Sequence, residues 1–143
     1  MRIVILDDSL TMRTTIESFL EEYGVQNNEI YSFENGYEAL DFIKQGGADI
    51  IFSDIHMPYM DGFEFPELVF RVIPDLKNSF FAISGDENHE SYNKMKNNGV
   101  HRFLKKPIDI TLFNNFILPE ILKIRFVEGN LSSSEMRRLV SKM

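Results

Sequence analysis

Short apolar runs alternate with longer amphipathic stretches along this chain, and the alternation predicts its elements. Ile3-Val4-Ile5-Leu6 is a continuous apolar run of strand length, the pattern of a strand covered on both faces in a parallel sheet. It ends in two acids, Asp7 and Asp8. Met12, Ile16, Phe19, Leu20 and Tyr23 then recur at helical spacing, and Gly24 stands where a glycine would cap the helix. Residues 30–33 predict a second strand, and Ala39, Leu40 and Ile43 a short helix closed by Gly46-Gly47. Residues 49–53 predict a third strand that also ends in an acid, Asp54. A loop over 55–62 carries Pro58 and Gly62, and a helix from about Phe63 to Val72 holds Pro66 near its first turn. Residues 80–83 predict a fourth strand, ending at Ser84. Residues 87–98 predict an unusually polar helix, with Tyr92 and Met95 its only large apolar side chains. Val100 to Leu104 predicts a fifth strand, ending at Lys105-Lys106-Pro107. Ile110, Phe113, Phe116, Ile117, Ile121 and Ile124 mark a last long helix, with a kink or break at Pro119.

Five strand–helix pairs in succession predict an α/β fold: a doubly wound, five-stranded parallel sheet with helices on both faces. Residues 126–143 stand apart, with 3 basic and 2 acidic side chains against 12 and 20 in residues 1–125. Gly129-Asn130 predicts a break, and Ser132 with Glu135 has capping-box spacing for a short helix. Met136, Leu139, Val140 and Met143 would share one face of it. A lone helix this short is marginal in water, so it must dock or fray. The chain thus divides into a domain over 1–125 and a C-terminal extension over 126–143.

Composition narrows the partners. The 143 residues suit one domain, and 15 Lys plus Arg against 22 Asp plus Glu give a net charge of −7. That excess argues against nucleic acid and anionic membranes, whose phosphates need clustered basic residues. No apolar run approaches the roughly 18–20 residues that span a bilayer. The first apolar stretch is too short for a secretory signal, so cytoplasm is the expected location. The absence of cysteine excludes disulfides and thiolate chemistry.

The chemistry sits where the strands stop. In a doubly wound sheet, ligands bind outside the carboxyl ends of the strands. Asp7, Asp8, Asp54, Ser84 and Lys106 would converge there. Carboxylates this close raise each other's pKa values, and a divalent cation relieves the repulsion. Oxygen-only ligands suit Mg²⁺, with Mn²⁺ the alternative ion. A lysine and a hydroxyl facing the same pocket suit the oxygens of a phosphoryl group. Each residue alone has a plainer reading: Asp7 or Asp8 as a helix cap, Asp54 as a turn residue, Lys106 as a solvated lysine, Ser84 as a loop hydroxyl, Phe103 as core.

Taken together, Asp7-Asp8, Asp54 followed by Met57-Pro58-Tyr59-Met60-Asp61-Gly62, Ile83-Ser84-Gly85 and Phe103-Leu104-Lys105-Lys106-Pro107 resemble a response-regulator receiver domain of the CheY-like, flavodoxin-like fold. The resemblance covers about residues 1–125. It implies that Asp54 is the phosphoacceptor and that Asp8, Asp7, Asp54 and the main-chain carbonyl of His56 hold Mg²⁺. It implies that Lys106 pairs with Asp54 and then with the phosphoryl group, and that the Lys106–Pro107 bond is cis. Ser84 matches the hydroxyl that turns to the phosphoryl group, and Phe103 the aromatic that turns inward behind it. The side chains of His56 and Asp86 would tune dephosphorylation. Two departures stand out: serine replaces the commoner threonine at 84, and Phe103 lacks the hydroxyl of the frequent tyrosine.

The function so implied is a stand-alone response regulator of a two-component or chemotaxis-type phosphorelay. Its own chemistry would be limited to self-phosphorylation and self-dephosphorylation. Its partners would be a histidine kinase or phosphotransfer protein and a downstream target met by the fourth helix, fifth strand and fifth helix. A homodimer would use that face or the tail. Two other readings compete. One is a degenerate receiver serving as a docking or dimerisation module, against which the intact acidic set speaks. The other is an aspartyl-phosphate phosphatase or phosphotransferase, which needs a second acid two residues after the nucleophile, where His56 stands.

Overall fold

In the computed structural model, which describes residues 1–56, 60, 63–85, 89–129 and 132–142, the five apolar runs form one sheet. Its strands are β1 (Ile3–Leu6), β2 (Ile30–Phe33), β3 (Ile50–Asp54), β4 (Phe80–Ser84) and β5 (Phe103–Lys105). All pairs are parallel, in the order β2-β1-β3-β4-β5. The helices are α1 (Leu10–Glu22), α2 (Gly36–Gly46), α3 (Glu64–Val72), α4 (His89–Asn97), α5 (Ile110–Phe116), α6 (Leu118–Glu128) and α7 (Ser133–Val140).

The continuous apolar runs are explained by burial on both sides. Successive strand side chains point to opposite faces, so Ile3 and Ile5 join Phe52, Phe81 and Ile83 under α1, α5 and α6, where Ile16, Leu20, Phe113 and Ile121 complete one core. Val4 and Leu6 point the other way and join Ala82, with Leu40 and Ile43 of α2, Phe65 and Val69 of α3 and Met95 of α4. Phe113 is the keystone of the first core. Its ring stacks on Tyr23 and Phe52 and lies tilted against Phe19.

Several boundaries differ from the sequence reading, each for a local reason. Ser9, not Asp7 or Asp8, caps α1, its hydroxyl accepting the Met12 N–H. α2 begins at Gly36, because the Asn35 side chain accepts the Tyr37 N–H and starts the helix a turn early. Val100 does not open β5. Gly99 takes φ +100° at the end of α4, and the Val100 N–H turns back to the Met95 carbonyl. The last long helix breaks at Ile117, two residues before Pro119, since proline has no N–H with which to continue the ladder and restricts the residue before it.

α6 runs on to Glu128, where Gly129 ends it in the left-handed conformation at φ +72°. Arg125 of α6 holds Glu29 through both terminal guanidinium nitrogens at 2.8 Å. The terminal amine of Met1 lies 3.5 Å from both Glu29 and Glu128. The Ser132–Glu135 capping box is present at the start of α7. Of the apolar face expected there, Leu139 is only 2% exposed and joins the first core, whereas Val140 is 45% exposed. Met143 lies outside the described residues.

Truncating Phe113 to alanine is expected to destabilise the chain by about 3–5 kcal/mol in urea unfolding, the range for a large aromatic removed from a core that cannot collapse around the gap. Leu139→Ala is expected to cost less than Phe113→Ala, because a helix of eight residues can lift away locally.

Candidate functional site

β1 and β3 lie side by side inside the sheet, so the residues at their carboxyl ends are enclosed. Asp7 follows β1 and extends its pairing, donating its N–H to the Phe33 carbonyl at 3.1 Å. Its carboxyl group is fully buried. Oδ1 accepts the Ser9 N–H at 2.8 Å, while Oδ2 has no hydrogen-bond partner among the described residues. Asp54 is the last residue of β3 and 5% exposed, and its Oδ1 accepts the His56 N–H at 3.3 Å. Asp8 is exposed at the rim. Carboxylate oxygens of Asp7, Asp8 and Asp54 lie within 4.8 Å of one another.

Lys106 supplies the positive charge. Its N–H donates to the Ser84 carbonyl at 2.7 Å, which continues the β4–β5 ladder and aims the side chain over the acids. Its Nζ lies 3.4 Å from Asp54 Oδ2 and 3.7 Å from Asp7 Oδ2. The Lys106–Pro107 peptide bond is cis.

One ammonium does not balance three acids. Burial raises the Asp7 carboxyl to about 6, the Asp54 charge adds to the rise, and the Ser9 N–H and Lys106 oppose it. Asp54 is also raised, chiefly by burial, with Lys106 and the His56 N–H pulling the other way. The orphaned Asp7 Oδ2, the oxygen-only donors and the surplus of negative charge fit a hard divalent cation.

Ser84 ends β4 and is fully buried. Its hydroxyl lies 2.9 Å from the phenol of Tyr92 on α4. The Tyr92 ring stands edge-on to Phe103, with centroids 5.2 Å apart and planes at 71°. Phe103 itself is half-buried. Sequence reasoning saw Tyr92 only as an apolar anchor of a polar helix, and nothing in a single sequence signals its bond to Ser84. Asp86 lies outside the described residues, as do Met57, Pro58, Tyr59, Asp61 and Gly62 of the loop after β3. Met60 of that loop is buried against α2, so close to Gly36 that a Cβ there would sit 2.9 Å from the Met60 Cβ.

Residues 3–117 match the profile of the response regulator receiver domain. The chain belongs to that family. This receiver is 29% identical over 108 residues to chemotaxis protein CheY-3 of Vibrio cholerae, a match spanning 75% of this chain and 81% of that protein. It is 31% identical over 102 residues to a protein-glutamate methylesterase/protein-glutamine glutaminase of Halobacterium salinarum, covering 71% of this chain but only 29% of that protein. Among solved structures it is similar to a CheY-like response regulator receiver domain protein from Methanospirillum hungatei. There the TM-score is 0.75 at 25% identity, covering 90% of this chain and 98% of that one.

The raised Asp7 pKa has a stability consequence of definite sign. An acid whose pKa is higher folded than unfolded contributes stability that is complete below the unfolded value, near 4, and is lost as pH rises through about 6. Asp7→Asn, which removes that charge and keeps an oxygen for the Ser9 N–H, is therefore expected to make the metal-free receiver more stable at pH 8. The gain is on the order of 2–3 kcal/mol and shrinks toward zero as pH falls through 6 to 4, as urea midpoints measured across that range would show.

Proposed function

We propose that this receiver accepts a phosphoryl group on Asp54 in a Mg²⁺-dependent reaction and thereby switches partner binding on the face formed by α4, β5 and α5. The observation that carries the reading is Asp54 Oδ2 facing Lys106 Nζ at 3.4 Å, inside a cluster whose other members are Asp7 and Asp8. The donor would be a phosphorylated histidine of a cytoplasmic histidine kinase or phosphotransfer protein. An Asp54 carboxylate oxygen forms the new O–P bond as the N–P bond of the donor breaks, and the imidazole leaves with that electron pair. Water later attacks phosphorus, returning free phosphate and the Asp54 carboxylate.

Asp8, Asp7, Asp54 and the His56 carbonyl would hold Mg²⁺, or Mn²⁺ in its place, which when bound neutralises phosphoryl oxygens and the acids around them. Lys106 pairs with the Asp54 carboxylate beforehand and with the phosphoryl group afterwards. Ser84 turns its hydroxyl to the same group, and Phe103 turns inward behind it. Exposed Leu112 and Phe116 of α5 offer apolar surface on that face to a downstream target or a second copy. The side chains of His56 and Asp86 tune hydrolysis, so that His56→Ala changes the dephosphorylation rate. Residues 1–125 would form the switch, with 126–143 as its extension. A match that spans most of CheY-3 but under a third of the methylesterase fits a receiver acting alone or within a longer protein. Among the described residues no helix is long and apolar enough to cross a membrane.

Incubation with Mg²⁺ and acetyl phosphate, followed by intact mass, is expected to show one phosphate adduct that Asp54→Asn abolishes. No adduct under these conditions would favour the docking-module reading. Because ion binding displaces protons from Asp7 and Asp54, whose pKa values are raised, Mg²⁺ affinity measured by calorimetry is expected to tighten as pH rises through about 6. A flat profile from pH 5 to 8 would contradict the assigned ligands.

A further inference from the structure

Ser84 is held from outside the carboxylate cluster. Its hydroxyl is bonded to the phenol of Tyr92 at 2.9 Å and makes no hydrogen bond to Asp54. The same tyrosine presents its ring edge to Phe103. One side chain of α4 therefore touches both the hydroxyl and the aromatic through which the switch is proposed to run. Phe103 has no hydroxyl of its own, and here a phenol arrives from the neighbouring helix instead. α4 is lightly anchored, with Met95 its one buried residue, so its displacement breaks few contacts.

We infer that Tyr92 is a positioning residue for Ser84: in the unmodified chain its phenol holds the Ser84 hydroxyl away from Asp54, and phosphorylation releases it. The inference rests on Asp54 being the phosphoacceptor. The Ser84 hydroxyl can donate or accept in this bond, and either way its oxygen is fixed at the Tyr92 phenol. Its bond to a neutral phenol is weaker than a charge-assisted bond to a phosphoryl oxygen, so the phosphoryl group displaces Tyr92. The freed phenol then stands beside Phe103 without its partner. A change at Asp54 thus reaches α4 and β5 through two neighbouring side chains.

Tyr92→Phe removes the competing hydroxyl and keeps the ring against Phe103. With Mg²⁺ and acetyl phosphate, the full chain carrying Tyr92→Phe is expected to form the adduct about two- to tenfold faster, the equivalent of one net neutral hydrogen bond. In a Ser84→Ala background the same substitution is expected to change nothing. In the unmodified protein, urea midpoints of Tyr92→Phe, Ser84→Ala and the double variant are expected to be non-additive, because the two hydroxyls are in contact, and additive losses would mean that the bond between them is not made. An unchanged rate on a chain that does form the adduct, or an additive cycle, overturns the inference alone. A slower rate overturns it too, since the phenol would then support the Ser84 hydroxyl rather than withhold it. The absence of any adduct on the parent chain overturns the Asp54 reading, and this inference with it.

Discussion

Burying Asp7 and Asp54 beside each other costs folding free energy, and the rest of the sheet has to supply it. Their place leaves no alternative, because β1 and β3 are the central strands and every residue of both is buried. The compensation is partial. Lys106 stands 3.4 and 3.7 Å away, Ser9 and His56 each give a backbone N–H, and one buried oxygen of Asp7 is left without a hydrogen bond. A fold optimised for stability alone would put neutral side chains here. Raised, poorly compensated carboxyls at strand ends are a setting in which a divalent cation would restore the charge balance.

Packing then decides which parts can respond. The middle of the sheet is locked by Phe52, Phe81 and Phe113, whose rings stack in succession. Toward β5 the anchoring thins. β5 has three residues and pairs only with β4, and α4 beside it has a single buried side chain. Ser84 is the last residue of the locked part, and Tyr92 belongs to the loose part. On the proposed reading, a new charge at Asp54 would not shift the core strands cheaply but would change what Ser84 holds.

The strands were legible because burial on both faces writes them as unbroken apolar runs, and the strand-end acids, Ser84 and Lys106 followed from where those runs stop. The geometry among them was not legible. That Asp7 rather than Asp8 is the enclosed acid depends on the turn into α1, where Ser9 takes the cap. The break at Ile117 precedes the proline that causes it, since proline constrains the residues before it. The bond made by Tyr92 was not legible for a different reason. Its partner Ser84 lies beyond a loop, on another element, and a tyrosine on a polar helix has no pattern to mark it. The apolar stripe of the tail overstated its buried face, because eight residues offer room for one side chain to reach the core and Leu139 takes it.

The last three elements extend the same gradient. α5 starts just after the Lys106–Pro107 bond and has only Phe113 buried among its seven residues. α6 continues past the break with Leu118, Ile121 and Leu122 buried, and Arg125 clamped on Glu29. Leu139 of α7 lines a cavity with Met1, Tyr23, Gly24, Glu29 and Arg125, at the amino ends of β1 and β2 and so away from the carboxylates. The tail therefore reinforces the end of the sheet opposite the carboxylates. The same tail reaches α5, whose Asn114 side chain donates to the Lys142 carbonyl at 3.4 Å, so the exposed Leu112 and Phe116 stand on a helix held by Phe113 and by the tail.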